Sequence, residues 1–229
     1  MSLFGTFEST CHALRESCRG YPDGPPRVLD VGCGTGEMLA FVAGDIREGC
    51  GVDITHDAIA SARRNAASLS HIRFERAAVE ELPSLGLGTF DLVFIVGALE
   101  HMADPAVALR AVHAHTHAAS RVVIVALSPK APHAIVSRWM LAFTDHPVIG
   151  HLSVDALAEL GSRTGYALEE AYPLYRGSRR TKAARGVGAL LGAYDTLGGP
   201  TRAVVLAPQH HSDSSPLGES RPSGDGGAH

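Results

Sequence analysis

The sequence predicts an α/β fold, a mostly parallel sheet with helices on both faces, and three observations predict it. Short apolar runs alternate with helical patterns along the chain, the βαβ rhythm of a parallel sheet. The run Val28-Leu29-Asp30-Val31 enters a glycine-lined turn, Gly32-Cys33-Gly34-Thr35-Gly36, which opens directly into the helix formers Glu37-Met38-Leu39-Ala40-Phe41-Val42-Ala43. The 45% hydrophobic content of the 229 residues is enough for the core of one sizeable domain.

Taken in order, residues 1–26 read as a helical lead-in ending at Tyr21-Pro22-Asp23-Gly24-Pro25-Pro26. The strand at Val28–Val31 follows, then the helix that Gly44 closes. Gly51-Val52-Asp53-Ile54 is a second strand, and the helix after it has Thr55 as N-cap with Asp57 near its positive end. Ile72 and Phe74 alternate with charged neighbours as a shorter strand, and Phe90–Val96 is an apolar one. Asp104-Pro105 opens a helix, cap first and proline in the first turn. Arg121–Leu127 is β-branched and stops at Ser128-Pro129. Ser153 caps a helix that Gly161 interrupts and Gly165 terminates, ahead of a strand near Tyr166–Tyr175 and a last one at Thr201–Ala207. Residues 209–229, dominated by Ser, Pro, Gly, His and Asp, are expected to be a disordered tail.

A strand, a glycine turn and a helix start make a nucleotide-like pocket. A dinucleotide fingerprint needs glycine at the first, third and sixth positions of the turn, and here the sixth is Glu37. The pattern is instead acid-x-Gly-x-Gly-x-Gly from Asp30 to Gly36. An acid at a strand end suits a cationic ammonium better than a pyrophosphate.

In these residues the chain resembles the class I S-adenosylmethionine-dependent methyltransferases, whose first motif looks like Asp30–Gly36. The resemblance extends to Asp53, which in that family accepts hydrogen bonds from both ribose hydroxyls, and to Ala98-Leu99-Glu100-His101, similar to the Leu-Glu-His signature of the small-molecule branch. It implies a Rossmann-like, doubly wound, seven-stranded sheet over residues 27–208, with S-adenosyl-L-methionine as cofactor and a small-molecule acceptor. Asp30, Gly32, Cys33, Gly34, Gly36, Asp53, Ile54, Ala78, Val79 and Val96 are the implied cofactor contacts. The acceptor pocket is expected in an insert at about 130–152, around Trp139, Phe143, His146 and His151.

His101 follows the strand ending at Val96 and is the candidate general base, with a near-neutral reference pKa that suits the task. Its bland alternative is a ring that packs beneath the cofactor and hydrogen-bonds a loop. Glu100 has the same two readings. Two departures from the family pattern stand out: where relatives carry an acid for the adenine amino group this chain has Ala78, and Ile95-Val96-Gly97 makes the wall after the fourth motif apolar. The first leaves room for a rival, a protein that binds the cofactor without transferring methyl. The second favours an apolar or aromatic acceptor.

Other features carry less chemistry. The net charge of −4 gives no nucleic-acid footprint. No apolar run approaches the roughly 20 residues of a membrane helix, and the start of the chain lacks a secretory pattern. A cytoplasmic protein of open oligomeric state is the expectation. Cys11, Cys18, Cys33 and Cys50 show no paired short spacing. His113, His115 and His117 look like a metal tract, yet only His113 and His117 share a helical face, so no metal is assigned. The run Arg176, Arg179, Arg180, Lys182 and Arg185 reads as a solvated face ahead of an anion contact.

Overall fold

The computed structural model describes residues 4–126, 152–174 and 202–209. Their elements run α1 (Phe4–Ser17), β1 (Arg27–Val31), α2 (Glu37–Val42), β2 (Glu48–Asp53), α3 (His56–Asn65), β3 (Ile72–Arg76), β4 (Leu92–Val96), α4 (Pro105–His113), β5 (Arg121–Ala126), α5 (Val154–Arg163), β6 (Tyr166–Pro173) and β7 (Arg202–Pro208). They build a seven-stranded sheet ordered β3-β2-β1-β4-β5-β7-β6. The first five strands in that order pair parallel, with Leu29 beside both Cys50 and Val93. β7 runs antiparallel between β5 and β6.

Period-two alternation explains why the sheet carries helices on both faces. Leu29, Val31, Val93, Ile95, Val122 and Ile124 point to one side, where Leu109 and Val112 of α4 and Leu157 of α5 complete a core. Val28, Leu92, Phe94, Val123 and Val125 point to the other, against Leu14 of α1, Leu39 and Val42 of α2 and Ile59 of α3. Strands buried on both sides need continuous apolar runs, which is what β4 and β5 provide. Full burial of each large side chain contributes about 1.5–3 kcal/mol.

Several boundaries differ from the sequence reading. α2 ends at Val42 and tightens into a 3₁₀ turn at Ala43–Asp45. β4 starts at Leu92 because the Phe90 N–H leaves the ladder and donates to the His115 carbonyl at 2.8 Å. Ile54 lies outside β2 and is 65% exposed. Thr55 holds the N-cap position of α3, but its side chain makes no capping bond. Gly161 does not interrupt α5, which runs through it to Arg163; a Cβ there would stand in ordinary contact with Leu206, at 3.4 Å. The caps at Asp104 and Ser153 form as expected, Asp104 accepting from the Ala106 and Val107 N–H groups and Ser153 from Ala156. Leu127, the insert with Trp139, Phe143, His146 and His151, the arginine-rich run and most of the tail lie outside the described residues.

Candidate functional site

The glycine turn is stapled across the sheet before any ligand is considered. The Gly32 and Cys33 N–H groups both donate to the Val52 carbonyl, at 2.8 and 3.1 Å. All three glycines sit at positive φ, but for different reasons. A Cβ on Gly32 would lie 2.4 Å from the Ala98 Cβ, and one on Gly36 would lie 2.7 Å from the Phe74 ring. Those two glycines are consumed by packing. A Cβ on Gly34 would meet nothing within 4 Å, so this glycine alone in the turn faces open space that a ligand can enter.

Cys33 was an expected cofactor contact, and its side chain points elsewhere. The thiol is buried beneath the turn, 2.8 Å from where a Cβ on Gly51 would stand. Burial, reinforced by Asp30 and Asp53, pushes its pKa far up, so only its backbone can serve a ligand.

Two carboxylates flank the turn. Asp53 closes β2, with Oδ2 accepting from the Gly34 N–H at 2.9 Å and Oδ1 from the Thr55 N–H at 2.8 Å. This grip holds the carboxylate still. A carboxylate has about four acceptor positions, so capacity remains for two more donors. Asp30, on β1, is 1% exposed, and burial first and Asp53 second push its pKa up to about 7. Among the described residues its Oδ2 is buried without a hydrogen-bond partner. A buried acceptor without a donor is destabilising, and a cationic donor is the group that relieves it.

Beyond Asp53 the wall turns apolar, with Ile54 exposed and Val79 packed on the core from the 3₁₀ turn Val79–Ser84. The Ala78 N–H is taken by Glu81 Oε2 at 2.7 Å, so Ala78 offers a ligand neither a carboxylate nor a free amide. On the other side of the glycine turn, Val96 ends β4 half-buried and leads into a 3₁₀ turn at Leu99–His101. His101 is exposed there, its N–H held by the Ala98 carbonyl at 3.0 Å. Glu100 beside it is 4% exposed, and among the described residues both of its carboxylate oxygens are buried without a hydrogen-bond partner. That burial was not legible in the sequence.

The histidine tract disperses instead of converging. α4 ends at His113, so the three residues do not share one helix. His115 is buried, with ring nitrogens 2.7 Å from the Gly88 carbonyl and 2.8 Å from the Leu82 carbonyl, while His117 Nε2 lies 3.1 Å from Asp91 Oδ1. Among the described residues no group of three or more His, Cys, Asp or Glu could hold a metal ion, and no helix is long and apolar enough to cross a membrane.

With that geometry in hand, residues 28–132 match the family described as a methyltransferase domain. Over that stretch the chain is similar to a methyltransferase domain. A ubiquinone biosynthesis O-methyltransferase of Neisseria meningitidis is 36% identical over 91 residues, covering 37% of each chain. A trans-aconitate 2-methyltransferase of Deinococcus radiodurans is 33% identical over 78 residues, covering 34% of this chain and 29% of its own. The chain thus matches about a third of the length of these curated relatives. An S-adenosylmethionine-dependent methyltransferase from Mesorhizobium loti shares the fold with TM-score 0.63 at 19% identity, over 89% of this chain and 100% of its own. The acceptor differs between the named relatives.

Proposed function

We propose that this methyltransferase domain uses S-adenosyl-L-methionine to methylate an oxygen, nitrogen or carbon nucleophile of a small-molecule acceptor. One observation carries the reading: an open Gly34, an anchored Asp53 and a buried Asp30 oxygen without a protein partner meet at the carboxyl edge of β1 and β2. Ligands bind at that edge in open α/β sheets. When bound, the cofactor supplies a sulfonium-activated methyl group.

The chain's own residues then have distinct tasks. Asp30 opposes the amino-acid ammonium, Asp53 receives the ribose hydroxyls, and Ile54 and Val79 flank the base. Gly32, Cys33 and Gly36 shape the turn through backbone and packing, so that Gly34 can approach the ligand. Ala78 contributes space and no hydrogen bond, which lowers the adenine contribution to affinity. Val96 lines the wall toward the acceptor. Holding two reactants in line contributes about 7–11 kcal/mol toward the barrier, so positioning is the chain's main work. His101, exposed at the same edge, is available to take a proton from a hydroxyl acceptor.

Occupation of the Ala78 N–H by Glu81 favours a second reading, a protein that binds the cofactor weakly and does not transfer methyl. Incubation with methyl-labelled S-adenosylmethionine and a broad panel of hydroxyl, amine and activated-carbon acceptors separates the two. Transfer requires S-adenosylhomocysteine to accumulate in step with a labelled product. Binding with no product from any acceptor overturns the methyltransferase reading in favour of the second.

A further inference from the structure

The cofactor reading sets an order along the carboxyl edge of the sheet. Asp30 opposes the amino-acid end from β1, Asp53 receives the ribose at the end of β2, and the next strand outward is β3. A base carried on the far side of the ribose therefore lies between Ile54 and the segment that follows β3, Ala77-Ala78-Val79. The purine edge opposite the ribose, which bears the amino group, meets that segment.

The backbone there is already engaged. The Ala77 N–H donates to the Asp53 carbonyl at 3.1 Å, the Ala78 N–H to Glu81 Oε2 at 2.7 Å, and the Ala78 carbonyl accepts from the Glu81 N–H at 3.0 Å. The Ile54 carbonyl accepts from Arg76 Nε at 3.3 Å. The side chain of Ala78 is a methyl group. Ala78 and Val79 are half-buried, while Ile54, Glu80 and Glu81 are exposed, so alkyl groups and water bound this end of the cleft. An amino group arriving there leaves water for water, or for an exposed carboxylate already clasped to its own turn, and the net gain is small. Discrimination follows the same asymmetry. A site built to hydrogen-bond a polar group rejects analogues lacking it by orders of magnitude, whereas an apolar or open one cannot.

We propose that Ala78 leaves this site blind to the purine amino group, so that it takes adenosyl cofactors alkylated on that nitrogen as readily as S-adenosylmethionine itself. The inference rests on the cofactor reading above and makes Ala78 the specificity-determining position at the base end of the cleft.

Isothermal titration of the full chain compares S-adenosylhomocysteine with two derivatives, one dimethylated on the purine amino group and so without donors, the other benzylated there and so bulkier. Wild type binds all three within about fivefold of one another. Ala78→Asp puts a carboxylate at the N-cap of the 3₁₀ turn, where aspartate is favoured, so the variant keeps the fold. It binds the dimethyl derivative more weakly than S-adenosylhomocysteine by about tenfold or more. A wild type that binds S-adenosylhomocysteine but binds either derivative more than about fivefold less tightly overturns the proposal. So does an Ala78→Asp protein that binds S-adenosylhomocysteine and discriminates against the dimethyl derivative by less than about tenfold. A wild type that fails to bind S-adenosylhomocysteine removes the cofactor reading itself, a result distinct from both.

Discussion

The two edges of the sheet treat their carboxylates in opposite ways. At the amino edge, Glu48 takes a two-point contact from Arg27, with Nε–Oε2 at 2.7 Å, and a further contact from Arg73. Asp91 accepts from the Arg27 N–H at 2.6 Å and from Arg47 at 2.9 Å, with His117 at 3.1 Å. Arg27 also caps the Leu87 and Thr89 carbonyls and lies over the Phe90 ring. At the carboxyl edge, Asp30 and Glu100 are more deeply buried than either of these acids and have fewer donors. Buried polar groups are ordinarily satisfied, so the edge where they are not is the edge that awaits a ligand.

The largest expected effect comes from breaking the amino edge. Arg27→Ala leaves Glu48 with Arg73 as its remaining cation, frees the Leu87 and Thr89 carbonyls and costs about 1–3 kcal/mol in denaturant unfolding, with ligand affinity changed little. A cost under about 0.5 kcal/mol, the scale of an exposed ion pair, would mean that this network is surface decoration. Within the carboxyl edge, the glycines sharpen the contrast between packing and binding. Gly36→Ala adds a Cβ against the Phe74 ring at positive φ and costs about 2–3 kcal/mol. Gly34→Ala carries only the left-handed backbone term of about 1–2 kcal/mol, yet it places a methyl in the open cradle and reduces S-adenosylhomocysteine affinity, as calorimetry would record.

A smaller effect depends on pH. The Asp30 carboxyl is raised from 3.8 to about 7 in the folded chain, so between those values the folded state holds a proton that the unfolded state has released. Stability attributable to this group is therefore full below about pH 4, falls as pH rises, and levels off above about 7. Asp30→Asn lacks that decline, and its stability relative to wild type should be greater at pH 8 than at pH 4 by on the order of 1–3 kcal/mol. Parallel pH profiles for the two proteins would show that Asp30 is solvated.

Much of the fold was legible because it is written in local pattern. Val28 to Val31, Leu92 to Val96 and Arg121 to Ala126 are apolar runs that can only be two-sided strands, and the Asp104 and Ser153 caps act within three residues of themselves. The glycine turn and Asp53 were legible for the same reason, since spacing along the chain sets them. What was hidden depends on contacts distant in sequence. Thr55 holds the N-cap position of α3 without a side-chain capping bond, while its N–H is bound by Asp53 two residues back. His115 meets carbonyls 27 and 33 residues away, and Cys33 turns inward only because Gly51 makes room. Nor could any pattern reveal that the Glu100 oxygens lack a donor.

Isothermal titration with S-adenosylhomocysteine between pH 6 and pH 8, on wild type and Asp53→Ala, tests the reading of the carboxyl edge most directly. The account predicts that wild type binds, more tightly as pH rises and Asp30 ionises against the bound ammonium, and that Asp53→Ala binds about 10- to 100-fold more weakly. Absence of binding by wild type, or equal affinity in Asp53→Ala, would contradict it.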